Sequence, residues 1–398
     1  MTAAIAMPST RARRWGFRTV AYSLMIVLLG ANQPTPLYAV YQRVDRLSTT
    51  MLTLLFIAYV LAVALALVLA GQLSDRYGRR AVLLPALALA LTSAGAFALS
   101  SGLVWLLVGR ITSGLASGAV TALAPAALAE LEVDRDLDRA SVVASTATVL
   151  GLALGPMISG LLVEYGPWPT RLVYVLQILA LLPALTGALI LPRITPEAGH
   201  EPATRGLRLP HVPAAGRALF ARATVAFGSG WVATAMFFAL GPTFAALILG
   251  THNQALTAGI VFTVFSASAA AQLLSRHAPA GPAIRIGLAV FIPGMAALPI
   301  ALATHQPVIL VLGALAAGTG QGLAHRAAQA SVINAASVAE RGQVVSAFYL
   351  AGYLAIAVLL VGLGITIDHS TPLIGLTAFT TITIAVAVAG LALNKRTA

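Results

Sequence analysis

Side chains able to hold a charge or move a proton are scarce in this sequence, and they gather in a few short segments. The densest is Gly71-Gln-Leu-Ser-Asp75-Arg76-Tyr-Gly78-Arg79-Arg80. Asp75 is the only acid among these arginines, so it is ionised and drawn to a positive partner, which a helix N-terminus supplies. Ser337-Val-Ala-Glu340 has the form of a capping box opening a helix, and Asp75 is expected to dock there. Arg79 is expected to pair with Glu130. Gly71 is expected to allow close approach of two backbones, and Gly78 to take the positive φ of a tight turn. This chemistry is a reversible ionic latch, not a reaction centre.

A second group lies inside apolar runs. Arg110 is the only basic residue deep in such a run. A charge at membrane depth costs several kcal/mol unless paired or wetted. Arg110 is therefore expected to face a central cavity, meeting a substrate anion or answering a proton site; the alternative is an arginine snorkelling to the interface. Asn32-Gln33-Pro34-Thr35-Pro36-Leu37-Tyr38 places two prolines in an apolar run. They free carbonyls, which is tolerated where backbone lines a cavity, so Asn32, Gln33 and Tyr38 become cavity candidates. Gln321, His325 and Gln329 share one helix face. His325 is the only histidine well inside an apolar run and is the candidate proton-responsive group. Trp231, Phe237, Phe238, Tyr349 and Tyr353 could line an apolar cavity, with at least half of them expected against lipid.

Other chemistries lack their residues. There are no cysteines, so no disulfide framework or thiolate site exists. The 7 histidines are scattered, and no phosphate-cradling G-x-x-x-x-G-K-[ST] occurs. No enzyme activity, cofactor or metal is expected. The 12 acids all fall near helix ends or in loops, with Asp45 and Glu164 the nearest approach to a buried carboxylate.

The elements that must position these groups follow from composition. Of 398 residues, 59% are hydrophobic and only 9% charged. A wetted surface needs about 25% charged residues, so most of this surface faces lipid. About 20 helical residues span a bilayer. The apolar runs give twelve spans near 18–41, 49–71, 80–101, 103–129, 140–164, 171–192, 223–249, 254–274, 283–304, 307–335, 341–366 and 371–393. The expected fold is an all-α polytopic membrane protein of two pseudo-symmetric six-helix bundles, 1–193 and 223–398. A polar linker at 194–222 joins them on the cytoplasmic side.

With both termini in the cytoplasm, twenty of the 24 basic residues fall inside and only Arg43, Arg46 and Arg171 fall outside. An odd number of spans would destroy this separation. The net charge of +12 therefore reports topology, not nucleic-acid binding. The N-terminal arginines and first apolar run are expected to form an uncleaved helix. Arginine-dominated basic usage points to a bacterial genome, hence an inner membrane.

The halves resemble each other. Gly109, Gly114 and Gly118 recur as Gly313, Gly318 and Gly322, displaced by 204 positions, and Gln72, Leu73 and Arg76 recur as Gln272, Leu273 and Arg276, displaced by 200. Such repeats place a site between two halves that rock against each other.

The Gly71–Arg80 segment resembles the loop signature G-x-L-a-D-R-x-G-R-R/K of the major facilitator superfamily, and the likeness extends over the chain through the span count and central linker. Arg110-Ile-Thr-Ser-Gly114-Leu-Ala-Ser-Gly118 is similar to that family's R-x-x-x-G-x-x-x-G. Gly151-Leu-Ala-Leu-Gly155-Pro156-Met-Ile-Ser-Gly160 resembles its antiporter motif, with Ser159 where the pattern has glycine. The Asn32–Tyr38 segment resembles the first-span proline motif of the twelve-helix drug-exporter branch. The resemblance implies alternating access and proton-coupled efflux of a drug or metabolite by a monomer. Alternatives are a uniporter or symporter for a sugar or organic anion, or a non-transporting sensor of the same fold.

Overall fold

The computed structural model describes residues 9–44, 46–134, 136–191, 216–335 and 341–395; the side chains of Asp75, Leu137, Asp138, Arg341, Val345, Ser346 and Lys395 lie outside that description. The elements run α1 (Thr10–Asn32), α2 (Pro34–Val44), α3 (Thr49–Tyr77), α4 (Arg79–Ala98), α5 (Leu103–Leu131), α6 (Leu137–Tyr165), α7 (Leu172–Ile190), α8 (Arg217–Leu249), α9 (Gln254–Leu274), α10 (Ala280–Thr304), α11 (Pro307–Ala335), α12 (Arg341–His369) and α13 (Pro372–Lys395). Among the described residues, 11 helices are long and apolar enough to cross a membrane. Broken at Gln33, α1 and α2 together supply a further crossing. Helices dominate because a spanning segment in lipid must satisfy its backbone internally.

Short polar caps and glycines end the helices. Ser48 accepts from the Met51 amide at 3.2 Å and Asn253 from that of Leu256 at 3.0 Å. Gly78 (φ 90°) turns α3 into α4, and Gly250 (φ 59°) ends α8. These are backbone conformations that favour glycine.

α1 and α3 to α7 pack on one another as one bundle, and α8 to α13 as a second. In both bundles a small-residue stripe brings helices to backbone contact. A Cβ at Gly114 or Gly118 of α5 would collide with the Tyr59 or Val63 carbonyl of α3, and one at Gly318 or Gly322 of α11 with the Val264 or Ser268 carbonyl of α9. Lipid offers no hydrophobic drive for helix association, so close packing of small residues must supply it.

The even number of crossings puts the start of α1 and the end of α13 on one face, here called the terminal face; the opposite face is distal. The halves meet where α3 lies on α12 and α6 on α9, and α2 leans across onto α8 and α9. The described hydrogen bonds between the halves sit at the distal face. They include Thr243 donating to Gln42 at 3.2 Å and Asn253 to Tyr165 at 3.3 Å. Phe56 and Phe238 stack across the same seam, ring centres 6.3 Å apart.

Candidate functional site

The break between α1 and α2 organises the first half. Pro34 and Pro36 cannot donate to the helical ladder, and side chains from other helices bind the loosened backbone. Ser159 donates to the Gln33 carbonyl at 2.6 Å, and Arg110 to the Ala31 carbonyl at 2.8 Å. The serine that departs from the glycine pattern thus has a structural task. Gln33 donates to Gln177 at 3.2 Å, and Asn32 to the Leu28 carbonyl at 2.9 Å.

Arg110 is 1% exposed and does not snorkel. Its Cζ lies 4.9 Å from the Tyr38 ring centre, 5.4 Å from that of Tyr59 and 5.8 Å from that of Phe97. Among the described residues no hydrogen bond is drawn to its Nε or Nη2, nor to the Tyr38 hydroxyl. Beside Ala31 and Phe97 is a cavity of about 10 Å³ with Gln33, Ser93, Ser113 and Gln177 on its wall, room for about one water. Tyr38 and Arg110 are thus brought together, with Gln33 on the neighbouring cavity wall, while Asn32 bonds back within its own helix.

The second half gathers an aromatic group. His325 packs against Trp231 (ring centres 5.0 Å), Phe227 (5.2 Å) and Tyr349 (6.3 Å). The Tyr349 hydroxyl is 3.5 Å from its Nε2, and its Nδ1 has no partner among the described residues. Gln321 points elsewhere, accepting from Ser268 at 2.5 Å. Lipid exposure of at least half of the five aromatics is not found. Phe237, Phe238 and Tyr353 are buried, while Trp231 and Tyr349 are half-buried against His325. Trp231, Tyr349 and Tyr353 cluster around the histidine, and Phe238 packs on Phe265 with ring centres 4.1 Å apart.

At the terminal face Arg79 grips Glu130 through Nε at 3.1 Å and Nη2 at 2.6 Å, and donates to Ser74 at 2.9 Å. Arg80 donates to the Leu191 carbonyl at 3.2 Å, and Arg76 lies over the Tyr77 ring. Among the described residues, none lies within 4 Å of a Cβ built at Gly71. The Asp75 side chain, Asp45 and Ser337–Glu340 lie outside the described residues.

The glycines of α6 serve two neighbours. A Cβ at Gly151 would lie 2.6 Å from the Met25 carbonyl oxygen, and one at Gly155 would collide with that of Leu29, so both hold α6 on α1. Gly160 instead faces α9, where a Cβ would lie 2.5 Å from that of Ala258. Pro156 sits inside the same helix.

Two acids that sequence reasoning left as helix-end residues bind backbone amides of the opposite half. Asp368 accepts from Thr49 and Thr50 at 2.9 and 2.8 Å, and Glu164 from Gln254 at 2.8 Å. The 204-residue displacement, extended to acids, is the signal that finds them.

Solved structures share this architecture at identities that speak for the fold alone. A bacterial homologue of the human lysosomal transporter Spinster, in an inward-facing state, is 14% identical with a TM-score of 0.71, covering 97% of each chain. A D-xylose-proton symporter is 17% identical with a TM-score of 0.72, covering 94% of this chain and 96% of its own. Curated relatives match over shorter stretches. The tetracenomycin C resistance and export protein of Streptomyces glaucescens is 33% identical over 136 residues, 33% of this chain and 24% of its own length. A triacylglyceride transporter of Mycobacteroides abscessus is 40% identical over 113 residues, 28% of this chain and 22% of its own length. The chain thus spans about a quarter or less of the curated relatives it matches. The family model described as Major Facilitator Superfamily matches residues 16–360. With two six-helix bundles, paired glycine stripes and a match across most of its length, the chain belongs to the major facilitator superfamily of transporters.

Proposed function

We propose that this transporter exports a small organic molecule in exchange for protons, by alternating access, from a bacterial cytoplasm across the inner membrane. In this reading the terminal face is cytoplasmic, which agrees with the sorting of the basic residues. The Arg79–Glu130 pair, with Asp75 and the start of α12, latches the cytoplasmic side when the cavity faces outward. Arg110 and its aromatic box set the polarity of the first wall, and His325 with Trp231 and Tyr349 forms the second. Buried cation and aromatic walls suit a cargo that is neutral, amphipathic or anionic. The chain works as a monomer.

The observation that carries the direction of transport is the α6 segment Gly151–Gly160, which packs on α1 within its half and on α9 across the seam. It resembles the antiporter motif, and a resistance and export protein is among the relatives. The test is a panel of resistance and metabolite-export assays in a host lacking its major exporters, followed by everted vesicles carrying a pH-sensitive dye. Export predicts cargo uptake into everted vesicles with dissipation of the pH gradient. Cargo movement without any pH change would reject the proton link; accumulation by right-side-out cells would reject export.

One observation favours a second reading. No described carboxylate lies in the middle of a span, and Arg110, the described cation buried at mid-span, meets no acidic partner among the described residues. That pattern suits a uniporter for an organic anion, which would show exchange at any pH without a gradient.

A further inference from the structure

Glu164 and Asp368 stand 204 positions apart, the displacement that relates the glycine stripes of the two halves. Their partners obey the same displacement: Asp368 accepts from the Thr50 amide and Glu164 from the Gln254 amide, and these too are 204 apart. So do Gly160 and Gly364, each four residues before its acid. A Cβ at Gly160 would lie 2.7 Å from the Gln254 carbonyl oxygen, and one at Gly364 would lie 3.0 Å from the Thr50 Cα. One device therefore occurs twice. The fifth span of each half ends in Gly-x-x-x-acid, and this grips the start of the second span of the other half.

Helix electrostatics explain why each acid reaches across the seam to the other half. Each acid lies in the last turn of its own helix, where the macrodipole is negative and a carboxylate is disfavoured. Each is stabilised by the positive N-terminus of α3 or α9, whose first amides have no partner within their own helix. The contact is worth making only across the seam. The other crossing bonds, Thr243 to Gln42 and Asn253 to Tyr165, have no counterpart at this displacement.

We propose that Glu164 and Asp368 form a two-fold-related gate that holds the distal face shut, and that distal opening requires both carboxylates to release their helix ends together. The proposal rests on the halves rocking but not on cargo or coupling ion. Asp368 holds two amides and Glu164 one, so Asp368 is the stronger half of the gate.

The absence of cysteine allows a direct measurement on the full chain. Spin labels at Ser101→Cys and Gln306→Cys, in the α4–α5 and α10–α11 connections, report the distal separation of the halves by pulsed electron spin resonance. The otherwise native chain should show mainly the short distance. Asp368→Asn should raise the longer-distance population at least threefold, Glu164→Gln less, and the double variant most. Thr49→Pro supplies a second route that leaves the acids intact. It removes one donor to Asp368 at the first helical position, where proline is tolerated, and the preceding Ser48 is already extended at ψ 163°. It should raise the same population and add little to Asp368→Asn. Unchanged distances in the double variant would overturn the gate. A shift in Asp368→Asn with none in Thr49→Pro would also overturn it, because the acid would then act by something other than capping. Neither outcome touches the export reading, which no cargo-free distance can test.

Discussion

The Arg110 guanidinium faces the Tyr38 ring with its Cζ 4.9 Å from the centre, and its hydrogen bond goes to the Ala31 carbonyl rather than to an acid. A buried cation held by rings and a carbonyl is under-compensated. Cation–π contacts contribute about 2 kcal/mol when desolvated, against several kcal/mol for burying the charge.

The first prediction follows from that imbalance. Arg110→Met should raise the unfolding temperature in detergent by a few degrees while transport falls at least a hundredfold, because an apolar group of similar length replaces a charge with no acidic partner. Arg110→Lys should fold but lose about tenfold in transport, since an ammonium cannot present the planar fork. A lower unfolding temperature for the methionine variant would mean the charge is compensated after all.

The Arg79–Glu130 grip is bidentate, with Arg79 buried and Glu130 27% exposed. Glu130→Gln should cost about 1.5–3 kcal/mol of stability, as expected for hydrogen bonds to a charged group. A double-mutant cycle with Arg79→Gln should show coupling of about 1 kcal/mol or more. Additive losses would mean the two act separately.

Ser159 offers a cleaner deletion. Removing its hydroxyl leaves the Gln33 carbonyl buried without that donor, a loss of about 1–3 kcal/mol. Ser159→Ala and Ser159→Gly should both lower the unfolding temperature, even though glycine restores the family pattern. If the glycine variant is as stable as the parent, the hydroxyl is dispensable.

The duplicated glycine stripe predicts matched effects. Gly118→Leu and Gly322→Leu each drive a side chain into a backbone carbonyl, of Val63 or Ser268. Overpacking of this kind costs about 1–3 kcal/mol or more. Both variants should show reduced yield of monodisperse protein, to similar degrees. A large difference between them would show that one half tolerates separation of its second and fourth spans.

Much of the fold was legible because lipid simplifies the code. Apolar runs of about 20 residues can only be spans, and the sorted arginines required an even number of them. The first span was harder. Its prolines announce an interruption, but the sequence expectation of one span near 18–41 does not say that Gln33 leaves the helix or that Ser159 and Arg110 bind the exposed backbone. Those partners are 126 and 79 residues away, and no local pattern encodes such distances. The isolation of Arg110 in an apolar run was visible; the three rings around it were not, since they come from three other helices. His325 looked like a lone titratable group on a helix face, whereas its surroundings depend on how α8 and α12 pack against α11. Glu164 and Asp368 read only as helix-end acids, Glu164 as a near substitute for a buried carboxylate, for a different reason. An acid at a helix end is unremarkable until its counterpart 204 residues away is seen to do the same thing.

The interruption at Gln33 also bears on how motion in this molecule should be measured. Schemes that treat the two halves as rigid bodies assign every helix to one of them by sequence. α2 answers to both assignments: it follows α1, packs on α6 and joins Tyr41 to Tyr174 of α7, yet it also rests on α8 and α9, and its Gln42 takes a bond from Thr243. A probe placed on residues 34–44 would therefore report on a segment packed against both halves. Superpositions of two states should leave that segment out of both reference frames and use its displacement as an independent coordinate.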